Sequence, residues 1–314
     1  MMKSFTTLTA AAAVLLAAGT ANAADLRANG KTVEAPPAPS IFDIAFGASL
    51  ASDYMFRGIS QSNREPSVAA YFEPRLNVAP NFQLYAGVAG ASISFANRAA
   101  AEIDLYGGIR PTFGKLALDI GGIYYYYPGG ECYNYENLGG GLFGSVPGCS
   151  LEINKYGVPT LAKEDASFFE VYGKANLAVT DSFSIGGTLF YTDSYTNTGA
   201  EGIYYSGLAK YVFPTLPNGV GAYVSGEVGY QDLGRTDDFY GNIELADYTT
   251  WNVGLGFTYK VFTLDLRYHD TDLSKEDCYG ITGDFTANSL GQSKWCGATF
   301  VAKLSVDLTL DSLK

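Results

Sequence analysis

From Phe42 onward, apolar and polar positions alternate with period two, segment after segment. Between Thr249 and Lys260, Trp251, Val253, Leu255, Phe257 and Tyr259 share one face, while Asn252, Gly254, Gly256, Thr258 and Lys260 share the other. Phe262, Leu264, Leu266 and Tyr268 repeat the pattern against Thr263, Asp265, Arg267 and His269. Alternation of this kind predicts half-buried strands and not helices. About twelve such segments lie near 42–57, 66–79, 82–95, 101–112, 115–127, 167–179, 183–194, 202–213, 219–231, 247–259, 261–271 and 296–309. Strands of soluble proteins usually have about five or six residues. A tilted membrane-spanning strand needs about 9–11, the scale of these segments.

The connections between the segments alternate strictly, long then short. Pro80-Asn81, Gly114, Thr180-Asp181-Ser182, Pro214–Asn218 and Lys260 are short; 58–65, 96–100, 128–166, 195–201, 232–246 and 272–295 are long. A bacterial outer-membrane barrel has this asymmetry, with short periplasmic turns and longer external loops. Aromatics mark both predicted edges. Tyr54, Phe56, Tyr124, Tyr126, Phe169, Tyr191, Tyr205, Tyr230, Trp251 and Tyr268 fall at the outer edge; Phe42, Phe82, Phe113, Phe183, Phe213, Tyr259 and Phe262 fall at the inner one. Two girdles of this kind belong at membrane interfaces. The expected fold is all-β: a transmembrane antiparallel up-and-down β-barrel of about 12 strands over residues 41–314. In that register Leu255 faces lipid, and its neighbour Gly254 faces a polar interior that should tolerate serine.

Composition agrees. Tyr (24), Phe (19) and Gly (37) dominate a chain with only 17% charged residues, which excludes intrinsic disorder. The longest aliphatic run, roughly Leu8–Ala18, is too short for a spanning helix, which needs about 20 residues. With Lys3 before it and Ala21-Asn22-Ala23 after it, this run reads as a signal peptide over residues 1–23. Residues 24–40 contain Ala35-Pro36-Pro37-Ala38-Pro39 and read as a periplasmic tether. A net charge of −12 argues against nucleic acid as a partner.

Four cysteines in an exported chain suggest disulfides. Cys132 with Cys149 and Cys278 with Cys296 is the simplest of the three connectivities, each pair lying within one long loop. No CxxC and no neighbouring histidine supports zinc.

Parity assigns the charged residues to the lumen or away from it. Inward acids are Asp43, Asp53, Glu73, Glu102, Asp104, Asp119, Glu170, Glu227, Asp265 and Asp307; inward bases are Arg57, Arg75, Arg110, Lys115, Lys174, Lys210, Lys260, Arg267 and Lys303. The pore-lining candidates are Asp53, Arg57, Glu73, Arg75, Glu102, Asp104, Arg110, Glu170, Lys174, Glu227, Asp265, Arg267 and His269. Surplus acid falls in the long loops, including Glu131, Glu136, Glu152, Glu164, Asp165, Asp232, Asp237, Asp238, Asp272, Glu276, Asp277 and Asp284. An acidic external mouth with a modest cation preference is therefore expected. His269 is the only base available to a serine nucleophile, and neither a nucleophile elbow nor HExxH occurs, so no enzyme is expected. Gly139-Gly140-Gly141 lacks the Lys-Ser/Thr of a phosphate loop and reads as ordinary loop.

Ser52-Asp53-Tyr54-Met55-Phe56-Arg57-Gly58-Ile59-Ser60-Gln61-Ser62 resembles the opening signature of the proteobacterial TorF family, whose members are read as outer-membrane porins. The resemblance implies an outer-membrane barrel and a channel, and names no substrate. The chain departs from such barrels in ending Leu310-Asp311-Ser312-Leu313-Lys314, without a terminal aromatic. The leading expectation is passive diffusion of small solutes or ions through a narrow pore in a Gram-negative outer membrane. A closed structural or adhesion barrel and a substrate-specific uptake pore are the alternatives. No cofactor is expected. The expected partners are membrane lipid or lipopolysaccharide, small solutes or cations, and the barrel assembly machinery; oligomeric state stays open.

Overall fold

The computed structural model describes residues 40–134 and 148–313. The signal peptide, nearly all of the tether, Glu136 and Gly139–Gly141 lie outside the described residues.

Twelve antiparallel strands close into a barrel. They are β1 (Phe42–Ala51), β4 (Ser67–Ala79), β5 (Phe82–Ala91), β6 (Glu102–Phe113), β7 (Leu116–Tyr126), β8 (Phe168–Ala178), β9 (Phe183–Thr192), β10 (Gly202–Val212), β11 (Gly221–Leu233), β12 (Tyr248–Tyr259), β13 (Phe262–Thr271) and β14 (Thr299–Thr309). Two short strands, β2 (Met55–Phe56) and β3 (Ile59–Ser60), form a separate hairpin. Each barrel strand pairs with its sequence neighbours, and β1 pairs with β14 to seal the seam. Closure leaves no unpaired edge, which is what a sheet in lipid requires.

The alternation of the sequence is realised side by side. Val253 (52% exposed), Leu255 (48%) and Phe257 (41%) face outward, while Thr258, Asp265 and Arg267 are buried inside. Phe113, Phe42, Phe262, Tyr259 and Phe213 stand exposed at the short-turn end; Phe169, Tyr205, Tyr126 and Tyr191 stand exposed at the long-loop end. Tyr54 and Phe56 depart from the predicted girdle. β1 stops at Ala51, the chain turns inward, and both side chains are buried within the barrel.

Glycine and tyrosine owe much of their abundance to one packing device. The side chains of Tyr223, Tyr204 and Tyr106 lie over Gly256, Gly229 and Gly87, where a Cβ would sit 2.0, 2.6 and 2.4 Å from the Cζ atoms of their rings. A glycine in the neighbouring strand leaves the recess each ring fills.

The two ends of the barrel are tied together. Ser40 Oγ donates to Asp311 at 2.6 Å, and the Leu310 N–H donates to the Ile44 carbonyl at 3.0 Å. α1 (Lys275–Thr282) lies in the last long loop, with Ser274 as its N-cap accepting from the Asp277 N–H. Both disulfides are present, Cys132–Cys149 and Cys278–Cys296.

Candidate functional site

The barrel is not an open tube. Residues 52–66 fold into the lumen, and the β2–β3 hairpin forms their tip. Arg57 (φ 47°) and Gly58 (φ 81°) both adopt left-handed conformations, the geometry of the tightest hairpin turns. Side chains of this loop tie it to itself. Asp53 accepts from Ser60 Oγ (2.6 Å), Ser62 Oγ (3.0 Å) and Arg64 (3.2 Å), and Ser62 Oγ in turn accepts from the Tyr54 N–H. Tyr54 donates to Glu102 at 2.5 Å.

Arg57 reaches across to the far wall. Its guanidinium donates to both oxygens of Glu170 in β8 (3.0 and 2.7 Å) and to Gln231 Oε1 in β11 (3.0 Å). It also lies over the rings of Phe56, Phe190 and Tyr204, at 4.6, 4.9 and 4.6 Å from their centroids. Glu170 is fully buried and accepts a further bond from Tyr125. A planar, five-donor cation bridging a carboxylate, an amide and three rings fits arginine and would not suit lysine. Gly58 is wedged against Thr250 and Thr271; a Cβ there would meet Thr250 Oγ1 at 2.3 Å.

The remaining inward charges are mostly paired. Glu73 accepts from Arg110 (2.8 and 3.1 Å) and Arg75 (2.6 Å), and Arg110 also donates to Asp119 (3.1 Å) and Gln83 (3.1 Å). Asp265 accepts two bonds from Arg267, which also donates to Asn252 and Ser225. Glu227 accepts from Tyr204 (3.2 Å) and Asn252 (3.4 Å). Lys174 lies 4.4 Å from the Tyr172 ring centroid, and His269 lines the inner cavity opposite Asn252. Glu102 accepts from Tyr54 and Tyr127, with Asp104 beside it. Lys115 and Lys260 are corrected: both are exposed in short turns, where Lys115 donates to the Val179 carbonyl and Lys260 adopts φ 54°. Parity does not extend past the end of a strand.

Two cavities lie on opposite sides of the hairpin. The inner one, about 240 Å³, is lined by Met55–Gly58 and by strand residues including Asp104, Lys210, Glu227 and Arg267. The outer one, about 640 Å³, is lined by Ile59–Gln61 and by loop residues such as Phe95, Leu161, Tyr240, Ile281 and Trp295. Among the described residues its wall contains no acid, and the one charged residue there, Lys163, is paired with Asp237. Burial pushes the Tyr240 phenol up to about 12, so this wall stays neutral there at physiological pH. Glu131, Glu164, Asp165, Asp238, Asp272, Glu276 and Asp277 are exposed on the loops outside this wall, and Asp284 is buried with Ser293 and Thr286.

The last long loop sits on the hairpin. Ser60 N–H donates to the Trp295 carbonyl (2.9 Å), Trp295 Nε1 donates to Asn63 (2.8 Å), and Arg64 donates to the carbonyls of Lys294 and Gly297. Gln231, Tyr125, Phe190, Tyr204 and Trp295 were not singled out by sequence. Period-two alternation runs on through Tyr54 and Phe56, so the inward turn leaves no mark in the hydrophobic pattern.

A family model described as a bacterial protein of unknown function (Gcw_chp) matches residues 35–142, which include β1, the hairpin and β4–β7. A search of curated protein sequences returns no match. Among solved structures, the NanC porin is 8% identical over 85% of this chain and 100% of its own, with TM-score 0.45. The KdgM porin is 10% identical over 84% and 98%, with TM-score 0.42. The COG4313 outer membrane channel from Pseudomonas putida F1 is 10% identical over 89% and 100%, with TM-score 0.45.

Proposed function

We propose that the protein is an outer-membrane channel for passive diffusion of small solutes, constricted within the lumen by its own first long loop. The observation that carries this reading is the pair of cavities, about 640 and about 240 Å³, divided by the Met55–Ser60 hairpin. The hairpin, more than the strand number, sets the width. A twelve-stranded barrel lies between the filled eight-stranded kind and the open sixteen-stranded kind. Long loops face the exterior, the turns and both chain ends face the periplasm, and lipid or lipopolysaccharide covers the apolar band. Export by the signal peptide and insertion by the barrel assembly machinery complete the reading, and it invokes no cofactor.

Liposome swelling tests it. Reconstituted barrel should pass small solutes such as glycine and exclude disaccharides. Failure to pass any solute, with the barrel correctly folded, would favour the closed structural barrel. That second reading has one observation in its favour: the plug is bonded to the wall as firmly as an interior element.

A further inference from the structure

Among its described residues, the wall of the outer cavity carries a single charge, whereas charged side chains such as Asp104, Lys174, Glu227 and Arg267 line the inner one. Ile59, Leu245 and Trp295, all buried, form much of the outer wall together with Phe95, Leu161 and Ile281. The one charge, Lys163, donates to the Asn197 carbonyl (2.7 Å) and to Asp237. Hydroxyls of the wall are turned to the backbone. Tyr279 donates to the Pro159 carbonyl (2.7 Å), Thr198 to that of Tyr195 (2.6 Å) and Thr282 to that of Cys278 (2.7 Å). Thr236 donates to the Ile243 carbonyl (3.2 Å), and Tyr240 accepts from the Lys163 N–H (3.2 Å). The Tyr279 bond ties the last long loop to loop 128–166, and Lys163 ties that loop to 195–201 and 232–246. The cavity therefore stands preformed.

A charged or hydroxyl-rich solute would give up its water here and find few groups to replace it, which is costly. An apolar solute gains in proportion to the area it removes from water. Pockets of this size lined by apolar and aromatic side chains are the usual sites for small ligands. An apolar cavity of about 150 Å³ holds benzene, so one of about 640 Å³ admits a larger ring system. We infer that the outer cavity is a binding site for small uncharged apolar molecules of one or two rings, held above the hairpin against Ile59 and Trp295. Binding there needs no passage through the lumen, so the inference goes beyond the channel reading and does not depend on it.

Trp295 itself reports occupancy. The chain has one other tryptophan, Trp251, which shares the outward face of β12 with Val253 and Leu255 and is removed by Trp251→Phe. In that barrel, reconstituted in nanodiscs, para-bromotoluene should quench Trp295 fluorescence to a saturating limit, since its bromine quenches indole on contact. The same ring bearing a carboxylate, para-bromobenzoate, should bind more weakly by about tenfold or more. Leu161→Glu and Ile281→Glu, each placing a carboxylate in the wall, should weaken para-bromotoluene by a similar factor. Quenching that rises linearly without a limit, or equal affinity for the two probes, would overturn the inference and leave the channel reading standing. So would unchanged para-bromotoluene binding in both variants. The comparison of the two probes uses the unaltered cavity wall, and it decides the matter whether or not those variants fold.

Discussion

Arg57 and Glu170, 113 residues apart in the chain, meet inside the barrel through two hydrogen bonds of 3.0 and 2.7 Å. Both side chains are almost fully buried. Removing one partner of such a pair strands the other charge and costs about 3–5 kcal/mol, whereas removing both costs less. Arg57→Met and Glu170→Gln should therefore each destabilise the docked hairpin more than the double variant does. A double-mutant cycle on hairpin protection, read by hydrogen exchange of the 53–62 amides, checks this. Additive single effects would mean the two groups do not act as a unit.

The ring-over-glycine packing makes a sharp contrast within one wall. Gly256→Ala would push a Cβ into the Tyr223 ring and should cost about 1–3 kcal/mol. Gly207→Ala meets nothing within 4 Å and should stay within about 0.5 kcal/mol of wild type. Urea titration of the lipid-reconstituted barrel measures both.

The lipid face has its own signature. Leu255→Arg should cost about 2–4 kcal/mol near the bilayer midplane, while Leu255→Ile should be nearly neutral. The polar face is less permissive than alternation suggests. A Cβ on Gly254 would lie 2.9 Å from Arg267 Cζ, so Gly254→Ser disturbs a lumen arginine that the sequence pattern could not place above it.

Cys278–Cys296 holds the last long loop over the hairpin, since Cys278 is fully buried and Ile59 bridges to Cys296. Closing a loop of this length contributes about 3 kcal/mol. Cys278→Ala with Cys296→Ala should raise protease cleavage within 272–298 several-fold while the strands stay intact. Unchanged cleavage would show that the Trp295 and Arg64 contacts suffice alone.

Most of the barrel was legible because one physical rule, alternate residues to lipid and lumen, governs every strand. Val253, Leu255 and Phe257 could be read one by one, and each connection declared itself by length. The local disulfides were legible from spacing, each pair lying 17 or 18 residues apart within one long loop. What escaped was whatever leaves the wall. Tyr54 and Phe56 continue the aromatic count of an outer edge, yet Asp53, Ser60 and Ser62 bend them inward through side-chain bonds that no periodicity encodes. The acids of the loops were visible, but not which way the loops would face them. Lys163, the single charge among the described residues of the outer cavity wall, is fixed by Asp237 some 74 residues away.

Single-channel conductance in planar bilayers tests the central claim most directly, by comparing wild type with Glu170→Gln and Arg57→Met. If the hairpin constricts the lumen and this pair holds it, wild type passes a small current and both variants pass a larger one, or open more often. Equal conductance in all three, with each barrel folded, would contradict the account.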